Sequence, residues 1–234
     1  AKTLSLVENE GEGAKELLAN LPFKRKIPII GITGPPGAGK SSVVNACIGH
    51  LVKNDKRVAV LAVDPSSPFN FGSLLGDRVR MEAHFNDDKV FIRSVASRGH
   101  LGGLSTRIYE MADVLANANF DYIFIETVGV GQSEVEIAGV ADITVVVLVP
   151  EAGDEIQAMK SGVMEIADVF AVNKSDREGA GKFASTLQTL VHTQDRDVEV
   201  INTVAISEKG IDELLNAIGK QHQSNQTNEK KVFL

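Results

Sequence analysis

The sequence predicts an α/β fold with a mostly parallel central sheet and helices on both of its faces. Seven short apolar, β-branched runs recur along the chain, and between them apolar residues return every three or four positions. A glycine-rich turn, Gly34 to Gly39, separates the first run from the first periodic segment. Sheets of this kind bind ligands beyond the carboxyl ends of their strands, so those ends are where chemistry is sought.

The runs are Ile27 to Thr33, Val58 to Asp64, Val90 to Ser94, Tyr122 to Glu126, Thr144 to Pro150, Val169 to Asn173 and Val198 to Thr203. Val43, Val44, Cys47, Ile48, Leu51 and Val52 mark one amphipathic helix, and Ile156, Met159, Val163 and Ile166 another. Further helices are predicted near Leu104 to Ala118 and Ile211 to Ile218, and Ser133 with Glu136 resembles a capping box that opens one more. Residues 1–24 carry a weaker helical pattern interrupted by Gly11 and Gly13 and read as an N-terminal helical extension. Residues 25–220 form the main domain. Residues 221–234 are a polar tail, rich in Gln and Asn, that reads as a frayed end or the start of a further element.

Composition narrows the function. The 234 residues carry 24 Lys and Arg against 31 Asp and Glu, a net charge of −7, so duplex nucleic acid and anionic membranes are poor partners. The single cysteine, Cys47, allows neither an internal disulfide nor a multi-cysteine zinc site, which fits a reducing compartment; its place on a helix's apolar face reads as core packing. The longest apolar run is too short to span a bilayer, and no secretory signal pattern is present, so the chain reads as soluble.

Gly34-Pro35-Pro36-Gly37-Ala38-Gly39-Lys40-Ser41 fits G-x-x-x-x-G-K-[ST] between a strand and a helix, the context of a P-loop. Successive N–H groups of such a turn, backed by a helix N-terminus, form an anion nest for nucleotide phosphates. Lys40 would bridge the outer phosphates, Ser41 would offer its hydroxyl to magnesium, and Ser42 follows in the same helix turn. Asn173-Lys174-Ser175-Asp176 matches N-K-x-D after a later strand. The Asp176 carboxylate can accept both N1–H and N2–H₂ of guanine, a pair adenine lacks, while the Lys174 stem covers the base and Asn173 ties the loop to the phosphate side. In the next loop, Thr203, Val204 and Ala205 lead out of the last strand, and the Ala205 N–H is a candidate donor to the guanine carbonyl. Glu126-Thr127-Val128-Gly129 occupies the place of a magnesium and γ-phosphate sensor, with the Gly129 N–H open to the γ-phosphate. Val130 stands where Ras-type enzymes orient water with Gln, which predicts slow intrinsic hydrolysis; Gln132 is a nearby substitute. Asp64 and Asp77 are candidate carboxylates for magnesium, although each also reads as an ordinary turn or helix cap.

Beyond these local motifs, GITGPPGAGKSS, AVDPSSP, LLGDRVRM, SRGHLGGLS, ETVGVGQSE, EAGDEIQAMKSG and VNKSD resemble the MeaB/ArgK family, the GTPase chaperones of cobalamin-dependent methylmalonyl-CoA mutase. The resemblance runs over roughly residues 27 to 218 and implies a P-loop NTPase with a G domain of the SIMIBI type. It implies that Lys40 and Ser41 bind phosphate and magnesium, that Asp64, Asp77 and Glu126 form the acidic metal side, and that Asn173, Lys174 and Asp176 read guanine. It also implies that Glu151 to Lys160, with Asp154, Glu155 and Gln157, is a switch reporting nucleotide state to the mutase; by itself that stretch is an amphipathic helix with a solvated face. GTP or GDP and magnesium are the implied ligands. The mutase is the implied partner, and the adenosyltransferase that supplies cobalamin is a further candidate. The implied compartment is the bacterial cytoplasm, or the mitochondrial matrix in a eukaryote. Family members carry a C-terminal helical arm for dimerisation, which this sequence does not reach. Competing readings are a nickel-insertion GTPase, which needs a Cys and His cluster, a P-loop small-molecule or amino-acid kinase, and an interaction module without nucleotide.

Overall fold

The computed structural model describes residues 1–22, 27–64, 81–96, 106–127, 133–152, 162–192 and 198–232. Seven strands form one sheet: β1 (Ile29–Thr33), β2 (Val58–Asp64), β3 (Val90–Ala96), β4 (Tyr122–Glu126), β5 (Ile143–Leu148), β6 (Val169–Val172) and β7 (Glu199–Asn202). Their order is β3-β2-β4-β1-β5-β6-β7, and every pairing is parallel. All seven carboxyl ends therefore lie along one edge. Each apolar run became a strand, trimmed or extended by a few residues where the ladder ends.

The described helices are α1 (Lys2–Glu8), α2 (Ala14–Ala19), α3 (Lys40–Lys53), α4 (Thr106–Ala116), α5 (Ser133–Val140), α6 (Val163–Ile166), α7 (Ala180–His192) and α8 (Ile211–Val232). Strand side chains alternate between faces, so a buried parallel sheet needs cover on both. On one face Ile30, Ile32, Val60, Phe124, Val145 and Val147 pack with Val43, Val44, Cys47 and Ile48 of α3 and with Leu214 and Ile218 of α8. On the other, Ile29, Leu61, Ile123 and Ile125 meet α1, α4 and α5, while Leu148, Phe170 and Val172 meet α6 and α7. Cys47 is fully buried, and loss of solvation pushes its thiol up to about 12, the state of a packing group rather than a nucleophile.

At the amino edge, aspartates serve structure. Asp142 accepts the Ile29 N–H at 2.9 Å, and Asp168 accepts that of Thr144 at 2.7 Å, each satisfying a strand that starts with a free donor.

Three parts add to the sequence reading. α7 was not anticipated, because Gly179, Gly181 and several hydroxyl residues obscure its stripe of Phe183, Ala184, Leu187 and Val191. The described part of the polar tail, read as a frayed end or the start of a further element, is helical: α8 runs to Val232, and Asn225 donates to the Asp142 carbonyl at 3.1 Å. Of the helix expected from Ile156 to Ile166, the described part is Val163–Ile166. The N-terminal stretch holds α1 and α2. It breaks between α1 and α2, where Glu10 and Gly13 take positive φ, and Leu4 and Val7 join the core of the main domain. Among the described residues no helix is long and apolar enough to cross a membrane.

Candidate functional site: the carboxyl edge of the sheet

The turn after β1 has the geometry of an anion nest. Gly34, Gly37 and Gly39 have φ of 135°, 77° and 90°. Two of them are also sterically required: a Cβ on Gly34 would stand 2.1 Å from the Val147 carbonyl oxygen, and one on Gly39 would stand 2.4 Å from Asn173 Nδ2. α3 begins at Lys40 directly after Gly39, so the helix N-terminus faces the turn. Lys40 is 6% exposed and folds back over the turn, its Nζ donating to the carbonyls of Gly34 at 2.8 Å and Pro35 at 3.1 Å. Ala38, which is buried, donates its N–H to the Pro35 carbonyl at 3.3 Å and so tightens the same turn between Pro36 and Gly39.

Ser41, the first residue after Lys40, donates its hydroxyl to Glu126 Oε1 at 2.5 Å. Both are buried. Glu126 ends β4 next to β1, and Thr127 beyond it continues the ladder by donating its N–H to the Ile32 carbonyl at 3.0 Å. Asp64 ends β2 two residues past Ala62, the register partner of Glu126, so its backbone stands at the same edge. Asp77, Gly129, Val130, Gln132 and residues 153–160 of the expected switch lie outside the described residues, as does the Asp64 side chain. Among the described residues no group of three or more His, Cys, Asp or Glu is arranged to hold a metal.

Asn173, 3% exposed, joins the two halves of the edge. Its Nδ2 donates to the Ala38 carbonyl at 2.9 Å, and its Oδ1 accepts the Ala205 N–H at 3.1 Å and the Thr203 hydroxyl at 3.3 Å. One amide thus fixes the phosphate turn and the β7–α8 loop to the end of β6. The Ala205 N–H, a sequence candidate for the guanine carbonyl, is used inside the protein, because a buried donor takes the nearest acceptor. Lys174, with φ of 56°, also reaches the turn, its Nζ donating to the Gly37 carbonyl at 2.7 Å.

A cleft of about 220 Å³ opens beside these groups, lined by Gly39, Ser42, Asn173, Lys174, Asp176, Arg177, Val204, Ala205 and Ile206. Thr203 lies behind its wall, fully buried. Arg177 and Ile206 were not singled out from sequence; their only signal is adjacency to N-K-S-D and to Ala205. A larger cavity of about 320 Å³, lined by His84, Phe85, Val90, Phe91 and Ile92, lies at the edge strand β3 and includes none of the candidate residues.

A family model described as methylmalonyl Co-A mutase-associated GTPase MeaB matches residues 1–232. The chain belongs to the MeaB family. It is 46% identical over 231 residues to a protein of Pyrococcus abyssi, covering 95% of this chain and 71% of that one. It is 38% identical over 231 residues to the GTPase ArgK of Escherichia coli, covering 93% and 70%. Among solved structures it superposes on a protein titled LAO/AO transport system kinase with a TM-score of 0.74 and 26% identity, covering 99% of this chain and 79% of that one. This MeaB-family chain is accordingly a P-loop GTPase, an enzyme that binds guanine nucleotide and hydrolyses GTP.

Proposed function

We propose that the chain is a magnesium-dependent GTP switch that acts as a chaperone for a cobalamin-dependent acyl-CoA mutase such as methylmalonyl-CoA mutase. It gates cofactor loading and protects or reactivates the mutase. The description of its family by association with that mutase supports the partner. The observation that carries the catalytic part is the Asn173 side chain, bonded at once to the phosphate turn and to the loop lining the cleft. In this reading it ties the triphosphate site to the base site on one edge of the sheet.

In this reading the turn from Gly34 to Ser42, through its N–H groups from Gly37 onward, and the Lys40 ammonium hold the β- and γ-phosphates. The ammonium now rests on two carbonyls, and phosphate oxygens are stronger acceptors for it. Ser41 and Glu126 are adjacent, buried oxygen donors at the foot of the turn, a donor set that suits magnesium; Asp64 and Asp77 are the further carboxylates the reading assigns to the ion. When bound, the ion would neutralise charge on the phosphate oxygens. Water attacks the γ-phosphorus in line with the leaving GDP oxygen, and Lys40 with the turn's N–H groups stabilises the charge that develops. Gly129 supplies an N–H to the γ-phosphate. Val130 offers no polar group to orient the water, so intrinsic turnover is slow and the partner completes the site.

Asp176 and Lys174, both in the cleft wall, read guanine, with Val204 and Ala205 as the remaining wall. The cytoplasm is the proposed compartment, with the cobalamin adenosyltransferase as a second partner. The test is GTP turnover and nucleotide affinity with and without purified methylmalonyl-CoA mutase. The expected result is stimulation of at least about tenfold, the scale of a partner-completed phosphoryl site. No change in either quantity would overturn the mutase role.

A further inference from the structure

Thr33 closes β1 and Thr127 is the residue after β4, and the two are 0% and 1% exposed. The Thr127 hydroxyl donates to the Thr33 hydroxyl oxygen at 3.2 Å, with the Ile32 carbonyl a second acceptor at 3.4 Å. Side chains alternate along a strand, and the threonines stand one position past the register pair Ile32 and Glu126. They therefore share the sheet face opposite the one on which Glu126 meets Ser41. The strand ends thus carry a polar pair on either face. The Ser41–Glu126 pair belongs to the proposed metal side, whereas the threonine pair lies under the sheet, away from it. Valine has nearly the shape of threonine and would fill both places without the cost of burying a hydroxyl.

The threonine pair sits where two strands part. The Thr127 N–H donates to the Ile32 carbonyl at 3.0 Å, the last main-chain rung between them among the described residues. Beyond it β1 enters the glycine turn at Gly34, and the other chain runs on toward Gly129. On its far side β1 is held by β5, where Thr33 pairs in register with Val146 and Gly34 is pressed against the Val147 carbonyl. Toward β4 the brace is the hydroxyl pair. A lone rung at the end of a ladder leaves the departing chains free to twist about it, and a second bond beside the first removes that freedom.

We propose that Thr33 and Thr127 are positioning residues for hydrolysis, their hydroxyl bond setting the phosphate turn and the segment that carries Gly129 in register with each other. This rests on the reading that turn and segment meet on one γ-phosphate. Neither threonine touches the nucleotide. Their effect falls on the transition state, where a small misplacement of preorganised donors lowers the rate more than it lowers binding.

The test measures kcat and KM for GTP, and melting temperatures without ligand, of the full chain and of its Thr33→Val, Thr127→Val, Thr127→Ser and combined double valine variants. Each single valine strands one buried hydroxyl and is expected to melt lower, whereas the double variant removes both groups and is expected to melt close to the parent. Turnover is expected not to follow: kcat falls about tenfold in both single valine variants and in the double one, with KM unchanged, as for an interaction felt in the transition state. Thr127→Ser keeps the hydroxyl and is expected to keep the parent kcat. A double variant that turns over like the parent would overturn the proposal, as would a kcat that tracks melting temperature across the set or a Thr127→Ser variant as slow as Thr127→Val. Lys40→Ala separates the proposal from the reading beneath it. Unchanged turnover in Lys40→Ala would overturn both, while a loss there beside a fully active double valine variant would overturn the threonine pair alone.

Discussion

The two halves of the carboxyl edge are built differently. The half proposed for phosphate is closed on itself: its lysine is buried on loop carbonyls, its serine on a glutamate, and two of its glycines, Gly34 and Gly39, stand where a side chain would collide with neighbouring atoms. The base half is open, with Asp176 and Arg177 on a cleft wall and an isoleucine left almost wholly in solvent. A phosphate chain looks much the same in every nucleotide, so its site can be rigid and internally satisfied. Discrimination between bases needs groups left unpaired until the right edge arrives. Asn173 is the hinge pin between the halves.

The comparison breaks most visibly at Lys40. Lys40→Ala removes the ammonium proposed to balance developing charge, and steady-state GTP hydrolysis is expected to fall by about 10²-fold or more, the cost of deleting one preorganised donor. An unchanged kcat/KM would show that the closed half is structural only. Asn173→Ala is the next largest. It leaves the Ala38 carbonyl, the Ala205 N–H and the Thr203 hydroxyl without their present partner in a buried place, a loss of about 2–3 kcal/mol. Calorimetry or denaturant unfolding should show that loss together with weaker nucleotide binding; a loss of binding at full stability would mean that Asn173 touches ligand rather than joining the halves.

The smallest effect is expected on the rim of the open half. Arg177, beside Asp176, pairs with Glu151 at the start of the proposed switch. The hydrogen bond from Arg177, aided by one from the main chain, holds the Glu151 carboxyl below its ordinary range. A carboxyl depressed in the folded state contributes stability above its unfolded pKa of about 4.3 and loses that contribution as pH falls through the folded value. Thermal melts of Glu151→Gln and the parent should differ slightly at pH 7 and converge in acid and in high salt, because the pair is exposed. A difference that persists at pH 3 would mean that Glu151 acts by packing.

Much of this was legible in the residues themselves. β-branched runs bounded by glycine and aspartate became strands because a sheet covered on both faces tolerates little else, and G-P-P-G-A-G-K-S needs only its own backbone to make a nest. α7 was missed because the glycines at its start and the hydroxyl residues between its apolar positions mask the stripe of Phe183, Ala184, Leu187 and Val191. The length of α8 was missed because a polar sequence shows no periodicity.

The sequence alone determined the residue types able to hold phosphate and to read a purine edge, since these are local chemistry. Tertiary structure alone decided their partners. Only parallel pairing of strands far apart in the chain brings Ser41 against Glu126, Ala38 against Asn173 and Asn173 against Ala205. It also decided that the Ala205 N–H is used within the protein while Ile206, one residue on, stands in solvent. Local pattern cannot specify such contacts, because a buried polar group takes whichever partner the packing of distant segments places within reach.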